Sequence, residues 1–443
     1  MARATGARHL NPVQEADILD LAHDGRGVAR VEGKAVFIDG ALPGERVRFR
    51  TFKQRRQMDE AALVDVLVAS PDRVQPRCAH FGLCGGCSLQ HLAPAAQLAA
   101  KQRQLLENLQ RIGNVQPQHV LDPLRGPEWA YRRRARLGIK YVHKKGRVLA
   151  GFREREKPYI ADIRRCEVLP KPLADLPQEL AALAATLAIK EKMPQVEVAV
   201  GDQATALVFR VLEPPGPLDL EKIAAFGAQH GLQIFLQPGG LDSVRPLLED
   251  YEPLSYAVDG GRVVIEFGPV DFIQINRDIN AAMVGAALTL LQPQPDDAAL
   301  DLFCGLGNFT LPLARGTRQV LGIEGDAALV AKARANAARN GIANAAFALQ
   351  NLFEPAGFGD WASERYDLVM LDPPRAGAAA LLTCMPRWSP RRVVYISCHP
   401  GSLARDAGIL VADHGFTLSA VGVMDMFPHT THVESIAVFE RRP

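Results

Sequence analysis

The sequence predicts a multidomain chain: an N-terminal OB-like β-barrel, an α+β central segment and a C-terminal Rossmann-like α/β domain. Three observations carry this expectation. At 443 residues the chain exceeds one hydrophobic core, since domains average roughly 150 residues. Residues about 14–70 read as short runs of alternating apolar and polar residues. From about residue 270, strand and helix patterns alternate strictly, which implies a parallel sheet with helices on both faces. Boundaries are expected at 1–72, 73–268 and 269–443.

In the first segment the runs are ADILDLA, GVARVEG, KAVFIDG, ERVRFRTF and AALVDVLVAS, punctuated by Gly25, Gly27, Gly33, Gly40, Pro43 and Gly44. Five short strands with turn signals suit a small barrel. Arg46, Arg48, Arg50, Lys53, Arg55 and Arg56 would give it a basic face suited to phosphates. In the second segment, Ala95–Ile112 reads as a helix, followed by the basic run Tyr131-Arg132-Arg133-Arg134-Ala135-Arg136. In the third, strands are expected at 298–303, 319–323, 345–349, 366–371, 391–396, 416–421 and 432–439. One helix should run from an N-cap at Asp326 to Gly341, and the last two strands should pair antiparallel.

Composition excludes several classes. Hydrophobic residues at 48% and charged residues at 23% are an ordinary globular mix. The longest apolar stretches, around Leu180–Ile189 and Ala281–Leu291, fall short of the roughly 18 residues that span a bilayer. The opening MARATGARHLNPVQEAD has no apolar signal region, so a cytoplasmic protein without membrane attachment is expected. The net charge of +2 conceals an asymmetry. Residues 1–165 hold 30 Lys and Arg against 17 Asp and Glu, whereas residues 166–443 hold 21 against 32. That split points to a polyanion-binding front and a chemically different back.

The loop Asp301-Leu-Phe-Cys-Gly305-Leu-Gly307-Asn308-Phe309 falls where the first strand of the α/β segment turns into a helix. Glycines there let a ligand approach the backbone. Glu324 ends the next strand, 23 residues after Asp301, where a carboxylate can accept hydrogen bonds from ribose hydroxyls. A dinucleotide fingerprint wants a third small residue at position 310, which is Thr310. A nucleoside ligand such as S-adenosylmethionine is therefore favoured over NAD. Asn351, the run Asp372-Pro373-Pro374-Arg375 and the run Ser397-Cys398-His399-Pro400 follow later strands and point at the same cleft.

DLFCGLGNFTLPLA, DPPRAG, VYISCHPGSLARD and MFPHTTHVES, in this order and spacing, resemble the RNA uracil-5-methyltransferase family. With CAHFGLCGGCSLQH, YRRRARLGIKY and FIQIN, and a barrel that the family calls a TRAM domain, the whole chain is similar to its 23S ribosomal RNA branch. His399 departs from the family's usual Asn, and Leu89 stands where Gln is common. The resemblance implies a class I methyltransferase domain in which Gln274, Phe303, Asn308, Glu324, Asn351 and Asp372 contact S-adenosylmethionine. It implies that Phe272 and Gln274 face the target base, and that the substrate is 23S ribosomal RNA. A monomer is expected.

Carbon 5 of uracil is a poor nucleophile until a thiolate adds at carbon 6. Cys398 suits that role, at a strand end just ahead of a helix whose dipole should favour thiolate. Glu434, in HTTHVES, is by resemblance the base that removes the carbon-5 proton. A base inside folded RNA must leave its stack to reach such a pocket, while the basic barrel and Arg132–Arg136 hold phosphates. Cys78, Cys84, Cys87 and Cys166 make four thiolates, enough for a 4Fe–4S cluster or a tetrahedral zinc site. Spacing does not decide between them; the resemblance favours 4Fe–4S. Two rival readings remain: the same chemistry on transfer RNA, and a non-catalytic iron–sulfur RNA-binding protein.

Overall fold

The computed structural model describes residues 11–354 and 357–442. The segment Met1–Leu10, read above for a signal region, lies outside the described residues. The chain divides into two compact units. One comprises Met1–Phe81, Cys87–Lys101 and His429–Thr431; the other comprises Gly82–Gly86, Gln102–Pro428 and His432–Pro443.

The first unit is built on a six-stranded sheet of Val13–Asp17, Asp20–Leu21, Gly27–Val31, Lys34–Asp39, Arg46–Gln54 and Met58–Val68. Along Arg46–Gln54 the period of two is plain: Val47, Phe49 and Thr51 are buried while Arg46 and Arg48 face solvent. Val47 and Phe49 join Ile18, Val36, Ile38 and Ala61 in the core. Six strands form where five runs were expected, because ADILDLA breaks at Ile18. That side chain turns into the core, and its N–H donates to Glu45 O at 2.8 Å. Leu19 N–H donates to Val28 O at 2.8 Å, so the same turn bonds to both ends of the sheet.

The expected basic face is largely paired. Arg46 meets Glu15 at 3.3 Å, Arg48 meets Asp65 at 3.1 Å, and Lys53 and Arg55 meet Glu60 at 3.5 and 2.7 Å. Exposed pairs of this kind contribute about 0–1 kcal/mol each. In the same unit Gln97, on the helix Pro94–Arg111, ties two loops together. Its amide donates to Leu92 O at 2.8 Å, and its oxygen accepts from His429 N–H at 2.9 Å.

In the second unit the central segment forms a sheet ordered Arg245–Pro246, Gln233–Gln237, Thr205–Arg210, Gln195–Val200, Arg134–Val142 and Arg147–Gly151. The hairpin Leu254–Val258 and Val263–Phe267 follows it. The helix α1 (Arg277–Leu291) then leads into the larger sheet. Its strands are β1 (Ala298–Leu302), β2 (Gln319–Glu324), β3 (Ala345–Leu349), β4 (Leu368–Leu371), β5 (Arg392–Ser397), β6 (Phe416–Met424) and β7 (Glu434–Arg441). Their spatial order is β3-β2-β1-β4-β5-β7-β6, with the two residues His119–Val120 added parallel to β6 at the edge. β1 and β4 are buried throughout, as strands covered on both faces must be. β7 runs antiparallel to β6, as expected, and also to β5, between which two strands it lies. Helix α2 (Ala327–Arg339) starts where Asp326 Oδ1 accepts from Ala328 N–H at 2.7 Å, and its chain leaves through Gly341 at φ +64°. Helix α3 (Pro400–Ala412) follows β5. The α/β segment, apart from His429–Thr431, and the central segment from Gln102 onward fall within this one unit, while 73–81 and 87–101 of the expected central segment belong to the first.

Candidate active site

The order reverses between β1 and β4, and the loop after β1 occupies that switch point. Phe303 takes φ +65°, Gly305 +54° and Gly307 +93°, a run of left-handed backbone that lifts the loop off the strand. A Cβ at Gly307 would sit 2.9 Å from Leu311 Cγ. Glu324 braces this loop: Oε2 accepts from Gly305 N–H at 3.0 Å, and Oε1 from Gly325 N–H at 2.7 Å. Asn308 spends its side chain on the scaffold. It exchanges hydrogen bonds with Asn280 on α1 at 3.1 and 3.0 Å, and its Oδ1 also accepts from Tyr256 OH at 3.1 Å. Thr310, which broke the dinucleotide pattern, donates to Asp301 Oδ2 at 2.5 Å. Asp301 Oδ1 is buried with no partner among the described residues, and burial raises this carboxyl to about 7.

Strand register brings the two proposed catalytic groups together. Ser397 ends β5 and pairs with Ser435 of β7. Cys398, one residue beyond Ser397, and Glu434, one residue before Ser435, therefore leave adjacent strands at the same end. Burial pushes the Cys398 thiol up to about 11; the carboxylates of Glu434 and Asp372 add to the shift, and Arg375 opposes it. The expectation of a helix-stabilised thiolate is therefore corrected. α3 does begin two residues after Cys398, but burial and two neighbouring negative charges act against a thiolate there. Burial raises Asp372 to about 7 against the opposing hydrogen bond from Gln274. The structure thus gathers Cys398, Glu434, Asp372 and Gln274.

The other expected residues divide. Asn351 is exposed and folds back on its own turn, with Oδ1 accepting from Phe353 N–H at 3.0 Å. The rings of Phe303 and Phe353 meet at a tilt of 50°, with centroids 5.7 Å apart. Phe272 stands 73% exposed, an aromatic face open to solvent. Arg133 and Arg134, expected to hold phosphates, are turned inward. Arg133 pairs with Asp202, and Arg134 bonds Pro269 O and lies 3.6 Å from Glu197. The carboxylates that hold them, more than sixty residues later, account for the difference. Among the described residues no group of three or more His, Cys, Asp or Glu side chains is placed to hold a metal ion. This gives no support to the four-thiolate centre expected from Cys78, Cys84, Cys87 and Cys166. Sequence reasoning passed over Asn280, Tyr256 and the role of Arg375. Arg375 stood in the quoted DPPRAG motif, but nothing local marked Asn280 or Tyr256.

A Rossmann-like sheet with its last strand reversed and a glycine loop at the switch point defines the class I methyltransferase fold. The chain belongs to the tRNA (uracil-5-)-methyltransferase family, whose profile matches residues 94–442; a TRAM domain profile matches residues 8–64. It is 52% identical over 427 residues to the 23S rRNA (uracil(1939)-C(5))-methyltransferase RlmD of Methylococcus capsulatus, covering 96% of each chain. It is 51% identical to the protein of that name from Xanthomonas euvesicatoria pv. vesicatoria, covering 100% of both. The crystal structure of Pyrococcus abyssi tRNA (uracil-54, C5)-methyltransferase in complex with S-adenosyl-L-homocysteine superposes with a TM-score of 0.71. That likeness covers 96% of this chain and 100% of the other at 23% identity, and shows the fold.

Proposed function

We propose that the protein methylates carbon 5 of a uridine in 23S ribosomal RNA, with S-adenosylmethionine as donor and Cys398 as nucleophile. The observation that carries this reading is the β5–β7 register that brings Cys398 and Glu434 to the same end of adjacent strands. Glu324 can accept from ribose hydroxyls, while Asn308 holds the loop in place through Asn280 and Tyr256. Phe303, Asn351, Gln274 and Asp372 complete the proposed cofactor contacts, and Phe272 offers a ring on which the extruded base can stack.

The chemistry follows from the proton affinities. Cys398 rests as a thiol, so its sulfur adds to uracil carbon 6 as the proton passes to a neighbouring carboxylate. Asp372, titrating near 7, can take it at neutral pH. The electron pair then available on carbon 5 attacks the sulfonium methyl, and S-adenosylhomocysteine leaves. Glu434 removes the proton from carbon 5, and the Cys398–C6 bond breaks to restore the ring. The departing sulfur takes back the proton held by Asp372, and Glu434 gives its own to solvent.

The experiment is a denaturing gel on full-length protein incubated with donor and 23S ribosomal RNA. Glu434→Gln should stall after methylation and show a slow protein–RNA band. Cys398→Ala and the double variant should show none. A band that persists without Cys398 refutes the nucleophile, and methyl transfer confined to transfer RNA refutes the substrate. We also propose that Cys78, Cys84, Cys87 and Cys166 hold a 4Fe–4S cluster, a reading supported by the number of cysteines and by the resemblance. Its check is separate: anaerobically purified protein should be brown, and Cys87→Ser should bleach it. Colourless protein removes the cluster and leaves the methylation reading intact.

A further inference from the structure

The carboxylate of Asp406 has no part in the steps above, yet it is fully buried and accepts four hydrogen bonds. Oδ2 accepts from Ala378 N–H and from Tyr395 OH, both at 2.7 Å. Oδ1 accepts from Arg405 Nε at 2.8 Å and Nη2 at 2.7 Å. Arg405 Nη2 reaches on to Ala376 O at 2.8 Å.

These partners come from three segments. Tyr395 lies on β5, which runs into Cys398; Asp406 lies on α3, which runs away from it. Ala376–Ala378 continue the loop that carries Asp372 and Arg375. Between them Gly377 takes φ +80°, and a Cβ there would lie 2.6 Å from both Arg405 Nη2 and Asp406 Oδ2. The loop backbone is drawn hard against the carboxylate. Burying a charge is costly even when it is paired, and an apolar filling of the same space would often be as stable. Its distinctive product here is orientation.

We propose that Asp406 is a positioning residue for the methylation: it fixes the nucleophile Cys398 relative to the loop bearing Asp372 and Arg375. The inference rests on the reading of Cys398 as nucleophile. Released from Asp406, the two loops can drift by an ångström or so, a misplacement that can cost on the order of 100-fold in rate. Asp406 is fully buried, out of reach of any ligand at the surface, so binding should be spared.

The test is steady-state kinetics of the full-length protein on 23S ribosomal RNA, run well below the melting temperature, with circular dichroism on each variant. Asp406→Asn should lower kcat by about 10- to 100-fold with KM for both substrates within about twofold. Tyr395→Phe, which removes one arm and keeps the core packed, should lower kcat in the same sense by less. A purely structural role would lower the melting temperature and leave kcat unchanged. Wild-type kcat in every folded variant of this pair, or a change confined to KM, overturns the proposal. If Asp406→Asn does not fold, Tyr395→Phe decides alone. Cys398→Ser is run alongside. Turnover by that variant refutes the nucleophile itself, whereas an inactive Cys398→Ser with unimpaired Tyr395→Phe and Asp406→Asn refutes only the present inference.

Discussion

His399 caps the helix behind Cys398: its Nδ1 accepts from Ser402 N–H at 3.1 Å. The imidazole nitrogen stands in for the amide oxygen of the family's usual Asn, so the substitution keeps the cap. His399→Asn should therefore leave activity near wild type, while His399→Ala should cost about 1 kcal/mol of stability. Burial, with Arg375 and Arg405, lowers the histidine's proton affinity in the folded state. The unfolded chain then binds the proton more readily. The His399 contribution is present above about 6.5, the ordinary histidine value, and is lost as pH falls from there through the lowered value of the folded state. Melting curves from pH 5 to 8 should show a shallower acid loss for His399→Asn.

Cys398 should behave as a reluctant thiol. Alkylation by iodoacetamide, followed at the Cys398 peptide by mass spectrometry, should reach half-maximal rate near pH 11. Glu434→Gln removes a negative neighbour and should speed alkylation at pH 8 by about two- to tenfold. Arg375→Ala removes the opposing cation and should slow it. A half-point near 8 in the wild type would show that the helix terminus wins after all.

Arg133→Ala should act on stability and leave the electrostatics of RNA binding alone. Its partner Asp202 would stay largely buried, held by Arg277 at 3.2 Å and Ala257 N–H at 3.0 Å. Removing one member of such a pair costs about 3 kcal/mol. The slope of log affinity against log salt should match the wild type; a flatter slope would return Arg133 to the RNA interface.

Asn308→Ala should weaken donor binding without touching the nucleophile. The variant leaves Asn280 and Tyr256 without their common partner and should lose about 1–2 kcal/mol of stability. KM for S-adenosylmethionine should rise several-fold, while Cys398 alkylation stays unchanged.

The contrast between Arg133 and Asp326 shows what the sequence makes legible. Asp326 sits beside the helix it caps, so a local pattern reveals it. β4 was equally plain, because a strand buried on both faces reads as a continuous apolar run, and β1 departs from that only at Asp301. Arg133 looked like a solvated cation because nothing nearby announces Asp202. The proton affinity of Cys398 was misjudged for the same reason. The helix after it is local, whereas Glu434 and Asp372 arrive through strand register and burial. Asp406 was in plain view within VYISCHPGSLARD, but only the fold brings Ala378 and Tyr395 to it.

The two residues His119–Val120 on the edge of β6 bear on how the protein can be dissected. Around them Gln118 N–H donates to Leu418 O at 3.0 Å, Leu121 N–H to Val421 O at 2.8 Å, and Leu124 N–H to Val423 O at 3.0 Å. A fragment beginning at residue 269 would contain every proposed catalytic group and still lack this cover. Its outermost strand, apolar and nine residues long, would present bare peptide groups to any similar strand it met. Such a minimal catalytic fragment should precipitate or self-associate, and one begun before Gln118 should stay in solution.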